Sequence, residues 1–115
     1  MINVDKNTFL DINLKAIAKN YKIIKQSIGR KCIIAATVKA NAYGLGDKKI
    51  FKLLIKEGCR NFFVATLQEG LRLKNNDKNI KIYILNGIQN YNIDIFYKKN
   101  LIPIVNSFEE YERIK

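Results

Sequence analysis

At 115 residues the chain has room for one ordinary domain and no more. Its 48% hydrophobic content is that of a globular protein rather than a disordered one, and no apolar run approaches the ~20 residues a membrane-spanning helix needs. Histidine is absent, which removes Ser-His-Asp and Cys-His nucleophile schemes within the chain and leaves no ordinary zinc site.

The formal net charge of +11 raises the question of an anionic partner. Lysines such as Lys15, Lys19, Lys22 and Lys25 are spread through a predicted helix, and arginine, the better base-reading residue, is scarce. The accompanying wealth of Ile, Asn, Tyr and Phe is what A/T-rich codons produce, so the lysines read as solvated faces rather than a nucleic-acid surface. Cys32 and Cys59 form no CxxC pair and read as two reduced thiols in the core. Residues Met1 to Asn7 lack the apolar core of a signal peptide, which predicts a cytosolic protein.

In chain order, Phe9-Leu10-Asp11-Ile12-Asn13 alternates apolar and polar residues and predicts a short strand. Leu14, Ile17, Ala18, Tyr21, Ile24 and Ile28 recur at helical spacing, with Asn13 placed to cap that helix and Gly29 to end it. Cys32 to Val38 is a continuous apolar run, which suits a strand buried on both faces of a parallel sheet. A second helix carries Ile50, Leu53 and Leu54 inward and ends at Gly58; Phe62 to Ala65 is the next strand. Thr66 and Glu69 have capping-box spacing and open a short helix to about Lys74, broken by Asn75-Asn76-Asp77. Ile82 to Leu85 is a strand ended by Asn86-Gly87, and a helix follows from Ile93 to Lys98. Leu101 to Val105 is a further strand, in tension with Pro103, which cannot donate to a ladder. Ser107 and Glu110 form a second capping box for a last helix. The alternation of strand and helix predicts an α/β fold on a parallel sheet, without separating a barrel from a doubly wound sheet. No internal sequence repeat and no low-complexity linker is evident.

The stretch from Ala35 to Gly46 carries the chemistry. An apolar strand is followed by Lys39, then by a turn of small and polar residues. Gly44-Leu45-Gly46 is not a dinucleotide fingerprint, because position 49 is lysine rather than glycine, and no Walker A sequence is present. The plain reading of Lys39 is a solvated charge at a strand end. The sharper one is an amine at the mouth of an apolar sheet, which desolvation neutralises and which can then attack an aldehyde to give an imine.

Val38-Lys39-Ala40-Asn41-Ala42-Tyr43-Gly44 resembles, residue for residue, the lysine signature of alanine racemases. Further stretches are similar to that family's successive strand-helix units: Leu10 to Leu14 with Asn20-Tyr21, Phe63-Val64-Ala65 with Glu69-Gly70-Leu71-Arg72, Ile84 to Gly87, and Ile102 to Val105. The family pattern continues Gly-His-Gly, where this chain has Gly44-Leu45-Gly46. Related decarboxylases share the Val-Lys-Ala-Asn core but not the Ala42-Tyr43-Gly44 continuation.

The resemblance implies a pyridoxal 5'-phosphate (PLP)-binding (β/α)8 TIM-type barrel, here partial and truncated before closure, with residues 1–115 as its incomplete N-terminal portion. It implies that Lys39 carries PLP as an imine and acts as acid and base on one face of alanine Cα. It also implies that Tyr43 hydrogen-bonds the cofactor phosphate and that Leu85 packs near the ring. The second base in the family is a tyrosine of the partner subunit in a homodimer. The implied function is interconversion of L- and D-alanine for peptidoglycan, in the cytoplasm, without nucleic acid or membrane as partner. A complete barrel runs to ~250 residues, so the chain alone is expected to be inactive unless a complementary C-terminal fragment joins it. The alternatives are a non-catalytic remnant or PLP-binding module, a basic nucleic-acid binder, and a PLP decarboxylase.

Overall fold

The structure, a computed structural model, describes residues 8–74 and 76–115. Helix α1 (Leu14–Ile28) leads into strand β1 (Ala35–Thr37), a short turn α2 (Lys39–Tyr43) and helix α3 (Asp47–Lys56). Strand β2 (Asn61–Val64), helix α4 (Leu67–Leu73), strand β3 (Lys81–Ile84), helix α5 (Ile93–Lys99), strand β4 (Ile102–Pro103) and helix α6 (Phe108–Ile114) follow. The four strands are parallel and lie in the order β1-β2-β3-β4.

That order decides what the alternation of elements left open. A doubly wound sheet reverses direction at a switch point; here each strand is laid beside the last on the same side, as in an arc of a barrel. One face of the arc is sealed. Phe62, Val64, Ile82 and Ile84 are buried beneath the helices, with Ile50, Phe51, Leu54, Leu67, Leu73 and Phe96 packed in the same core. The other face carries Asn61, Phe63 and Tyr83, half-buried, with Phe63 and Tyr83 stacked at a 4.9 Å centroid distance. The radius of gyration is 17.0 Å, against about 13 Å for a compact chain of this length, so the arc is open.

The local signals for helix ends are realised. Asn13 Oδ1 accepts from Ala16 N at 3.0 Å, and Thr66 and Glu69 form a reciprocal capping box. The second capping box forms only in half: Ser107 Oγ accepts from Glu110 N at 3.1 Å, but the Glu110 carboxylate turns to the amides of Asn106, Ile88 and Gln89 instead of that of Ser107. Asn75 of the predicted break after α4 lies outside the described residues; Asp77 opens a turn there by accepting from Asn79 N at 2.9 Å. The residues read for a signal peptide also lie outside.

Several expectations are corrected. Residues 8–13 form no strand, since no backbone among the described residues pairs with them, and Phe9 and Leu10 are exposed. The run from Cys32 yields strand only at Ala35–Thr37, and Ile33 is 81% exposed. β1 is an edge strand with one neighbour, and Ala35 and Thr37 are exposed with Ala36 half-buried, so the run is not buried on both faces. Cys59 is buried, but Cys32 precedes β1 in an exposed loop. In α3 the buried residues are Asp47, Ile50, Phe51 and Leu54, one i, i+3, i+4, i+7 stripe from which Leu53 is turned aside. Of the α1 stripe only Tyr21 is fully buried. The tension at Pro103 resolves by geometry. Ile104 N donates to Ile84 O at 2.9 Å, so the alternating peptides of β4 turn the proline nitrogen away from β3.

Candidate active site

β1 ends against β2, where Val38 N donates to Phe63 O at 2.9 Å and the Val38 side chain is buried. Lys39 follows at the C-terminal end of the sheet, the face on which barrel enzymes build their sites. Its side chain is half-buried, and its amine makes no hydrogen bond or ion pair among the described residues.

After Lys39 the backbone takes an uncommon course. Ala40 (φ 50°, ψ 51°), Asn41 (56°, 43°), Ala42 (53°, 50°) and Tyr43 (φ 54°) are four consecutive non-glycine residues in the left-handed region. Each costs roughly 1–2 kcal/mol for an L-residue, so the turn carries ~4–8 kcal/mol of conformational energy. Hydrogen bonds within the loop offset part of it. Ala42 N donates to Val38 O at 3.0 Å, Gly44 N to Ala40 O at 3.0 Å and Gly46 N to Asn41 O at 2.9 Å. Gly44 and Gly46, at φ 87° and 95°, let the chain leave the turn.

Two side-chain systems hold the turn from outside. Glu69 Oε1 accepts from Ala40 N at 2.8 Å, while its Oε2 accepts from Ala65 N at 2.6 Å and Thr66 N at 3.3 Å. Asn41 Oδ1 accepts from Asp47 N at 3.0 Å. The buried Asp47 carboxylate in turn takes Arg72 Nε at 2.9 Å and Arg72 Nη2 on one oxygen. Both nitrogens meet the same oxygen, in a charge-assisted pair from α4 to the start of α3.

Of the residues singled out from the sequence, Lys39 and Leu85 both follow strands at the C-terminal end of the sheet, after β1 and β3 respectively. Leu85 is half-buried and joined to β2 through its N–H to Val64 O at 2.9 Å. Tyr43 closes the left-handed turn and is 63% exposed. A cavity of about 340 Å³ adjoins the same loop, lined by Ile12, Asn41, Leu45, Gly46 and Asp47 among others; Lys39 does not line it. Sequence reasoning quoted Asn41, Glu69 and Arg72 within family-like stretches but assigned no contact to Asn41 or Arg72, gave Glu69 only a capping role, and missed Asp47.

The fold is thus a parallel βα arc of the barrel class, with a lysine just past the C-terminal end of its first strand. The family described as alanine racemase, N-terminal domain, matches residues 12–115, and the chain belongs to it. The alanine racemase of Rickettsia prowazekii (strain Madrid E) is 44% identical over 106 residues, covering 90% of this chain and 26% of that protein. The crystal structure of alanine racemase from Bartonella henselae with covalently bound pyridoxal phosphate superposes with a TM-score of 0.82 at 39% identity, over 88% of this chain and 28% of that one. A histidine racemase from Leuconostoc mesenteroides is similar at TM-score 0.70 and 25% identity, over 87% of this chain and 27% of that one. The chain therefore spans about a quarter of the length of the relatives it matches. Among the described residues, no helix is long and apolar enough to cross a membrane.

Proposed function

We propose that residues 1–115 form the N-terminal part of the barrel domain of a PLP-dependent alanine racemase, with Lys39 as the cofactor lysine. The observation that carries this reading is the Lys39 amine, without a partner among the described residues, beside the buried Val38 and on a loop held by Glu69 and Asp47. A primary amine without a competing ion pair is what a cofactor aldehyde requires. The residues present therefore fit PLP: Lys39 would bind it covalently, Tyr43 would donate its hydroxyl to the phosphate, and Leu85 would pack near the ring. When bound, PLP supplies an electron-withdrawing ring that makes the α-proton of an amino acid removable. Lys39 Nζ then holds or returns that proton on one face of Cα.

Inversion also needs an acid-base group on the opposite face. We assign it to the remainder of the enzyme, in the partner subunit of a homodimer, so the 115-residue chain alone does not turn over and gains activity only with a complementary part. Alanine is the proposed substrate and peptidoglycan D-alanine the proposed product use, in the cytoplasm. The likeness to a histidine racemase shows that this arc is shared by enzymes named for different amino acids.

The test is PLP trapping: mix the chain with PLP, reduce with borohydride, digest, and map modified lysines by mass spectrometry. Labelling concentrated on Lys39, and abolished there in Lys39→Ala, is expected. Labelling spread evenly over surface lysines refutes the cofactor role and leaves the remnant reading.

A further inference from the structure

Thr66, Glu69 and Arg72 have a counterpart 41 residues on in Ser107, Glu110 and Arg113, a T/S-x-x-E-x-x-R spacing not evident as a sequence repeat. In both, the hydroxyl accepts from the glutamate N–H, at 3.2 Å and 3.1 Å. In both, the carboxylate binds its own loop and the preceding βα loop together. Glu69 takes Ala65 N and Thr66 N with Ala40 N; Glu110 takes Asn106 N at 2.9 Å with Ile88 N at 2.8 Å and Gln89 N at 3.0 Å. In both, the arginine one turn on ties the far side of the preceding loop, Arg72 at Asp47 and Arg113 at the carbonyls of Gln89 and Tyr91. Gly87 leaves room for the second clamp, since a Cβ there would lie 2.5 Å from the Glu110 carboxylate oxygens.

The two clamps differ in what they hold. Glu110 fixes a loop without an amine; Glu69 grips the peptide nitrogen of Ala40, the residue next to Lys39 and the first in the left-handed turn. We propose that Glu69 is a positioning residue for Lys39: by joining the β1 and β2 loops through one carboxylate it holds the strained turn that aims the lysine. This rests on the reading of Lys39 as the cofactor lysine. Only a carboxylate offers acceptors on both oxygens. Glutamine keeps one and turns an amide N–H toward the other loop, so Glu69→Gln satisfies either Ala40 or the Ala65–Thr66 amides, not both.

The experiment compares wild type, Glu69→Gln and Glu110→Gln in two readouts, after circular dichroism shows each folded. The first needs no cofactor: hydrogen exchange of the Ala40–Gly46 amides. Glu69→Gln is expected to speed it about tenfold, the scale of one charge-assisted hydrogen bond, while Glu110→Gln leaves it unchanged. The second is PLP trapping, in which Glu69→Gln loses selectivity at Lys39 by a similar factor and Glu110→Gln keeps it. Unchanged exchange in Glu69→Gln, or equal effects of the two variants on exchange, or equal effects on trapping where wild type is selective at Lys39, overturns the proposal. If wild type shows no selectivity at Lys39 but Glu69→Gln still loosens the turn, the cofactor reading fails while the clamp on the turn stands. If Glu69→Gln does not fold, Glu69→Asp, which keeps both carboxylate oxygens but is one methylene shorter and so does not span both loops, is put through the same two readouts, and protection and selectivity equal to wild type overturn the proposal.

Discussion

The handedness of the turn after Lys39 can be tested by the sign of one substitution, Ala40→Gly. Ala40 is exposed, so losing its methyl group removes little burial, and glycine keeps the N–H that Glu69 accepts. In a right-handed helix the change costs ~1 kcal/mol. At φ 50°, ψ 51° the opposite holds. The Cβ is the source of roughly 1–2 kcal/mol of strain, against which glycine loses about 0.5–1 kcal/mol more backbone entropy on folding. The net expectation is a stabilisation of about 0.5–1 kcal/mol, or a rise in melting temperature of about 2–5 °C for a domain of this size. Ala18→Gly in the right-handed α1 serves as the control and should lower stability by about 1 kcal/mol. Both are read from thermal and urea unfolding by far-UV circular dichroism. A loss of stability in Ala40→Gly equal to that in Ala18→Gly would refute the left-handed assignment and the strain reasoning built on it.

Two further outcomes follow from the clamps. Three backbone amides, those of Asn106, Gln89 and Ile88, hold the Glu110 carboxyl below its ordinary value of 4.5, with Arg113 adding to the effect. Its contribution to stability is thus complete above that value and declines as pH falls through the lowered one; Glu110→Gln should flatten the acid limb of a stability–pH curve, and an unchanged limb would contradict the assignment. Arg72→Met strands the Asp47 carboxylate, whose side chain is 7% exposed, but Arg72 itself is 43% exposed, so water tempers the loss. A cost of about 1–3 kcal/mol in urea unfolding is expected, and no measurable change would show that the pair is not formed in solution.

The sequence by itself determined whatever depends on neighbours a few residues away. Alternation of apolar runs set the order of strands and helices. Asn13, Thr66 and Ser107 marked helix starts because a cap and its amide lie within three residues. The seven residues from Val38 to Gly44 pointed to the family, which the match over residues 12–115 bears out. Tertiary structure decided what depends on distant backbone. Whether Phe9–Asn13 or Cys32–Ile34 becomes strand turns on a partner edge, and neither has one among the described residues. The barrel arc, rather than a doubly wound sheet, is a matter of which side each strand joins, and helix spacing does not encode that. The buried Asp47 and the grip of Glu69 on Ala40 link positions 25 and 29 residues apart. Such contacts leave no local period to read, because a carboxylate is drawn to unpaired amides and guanidinium groups wherever the chain brings them together.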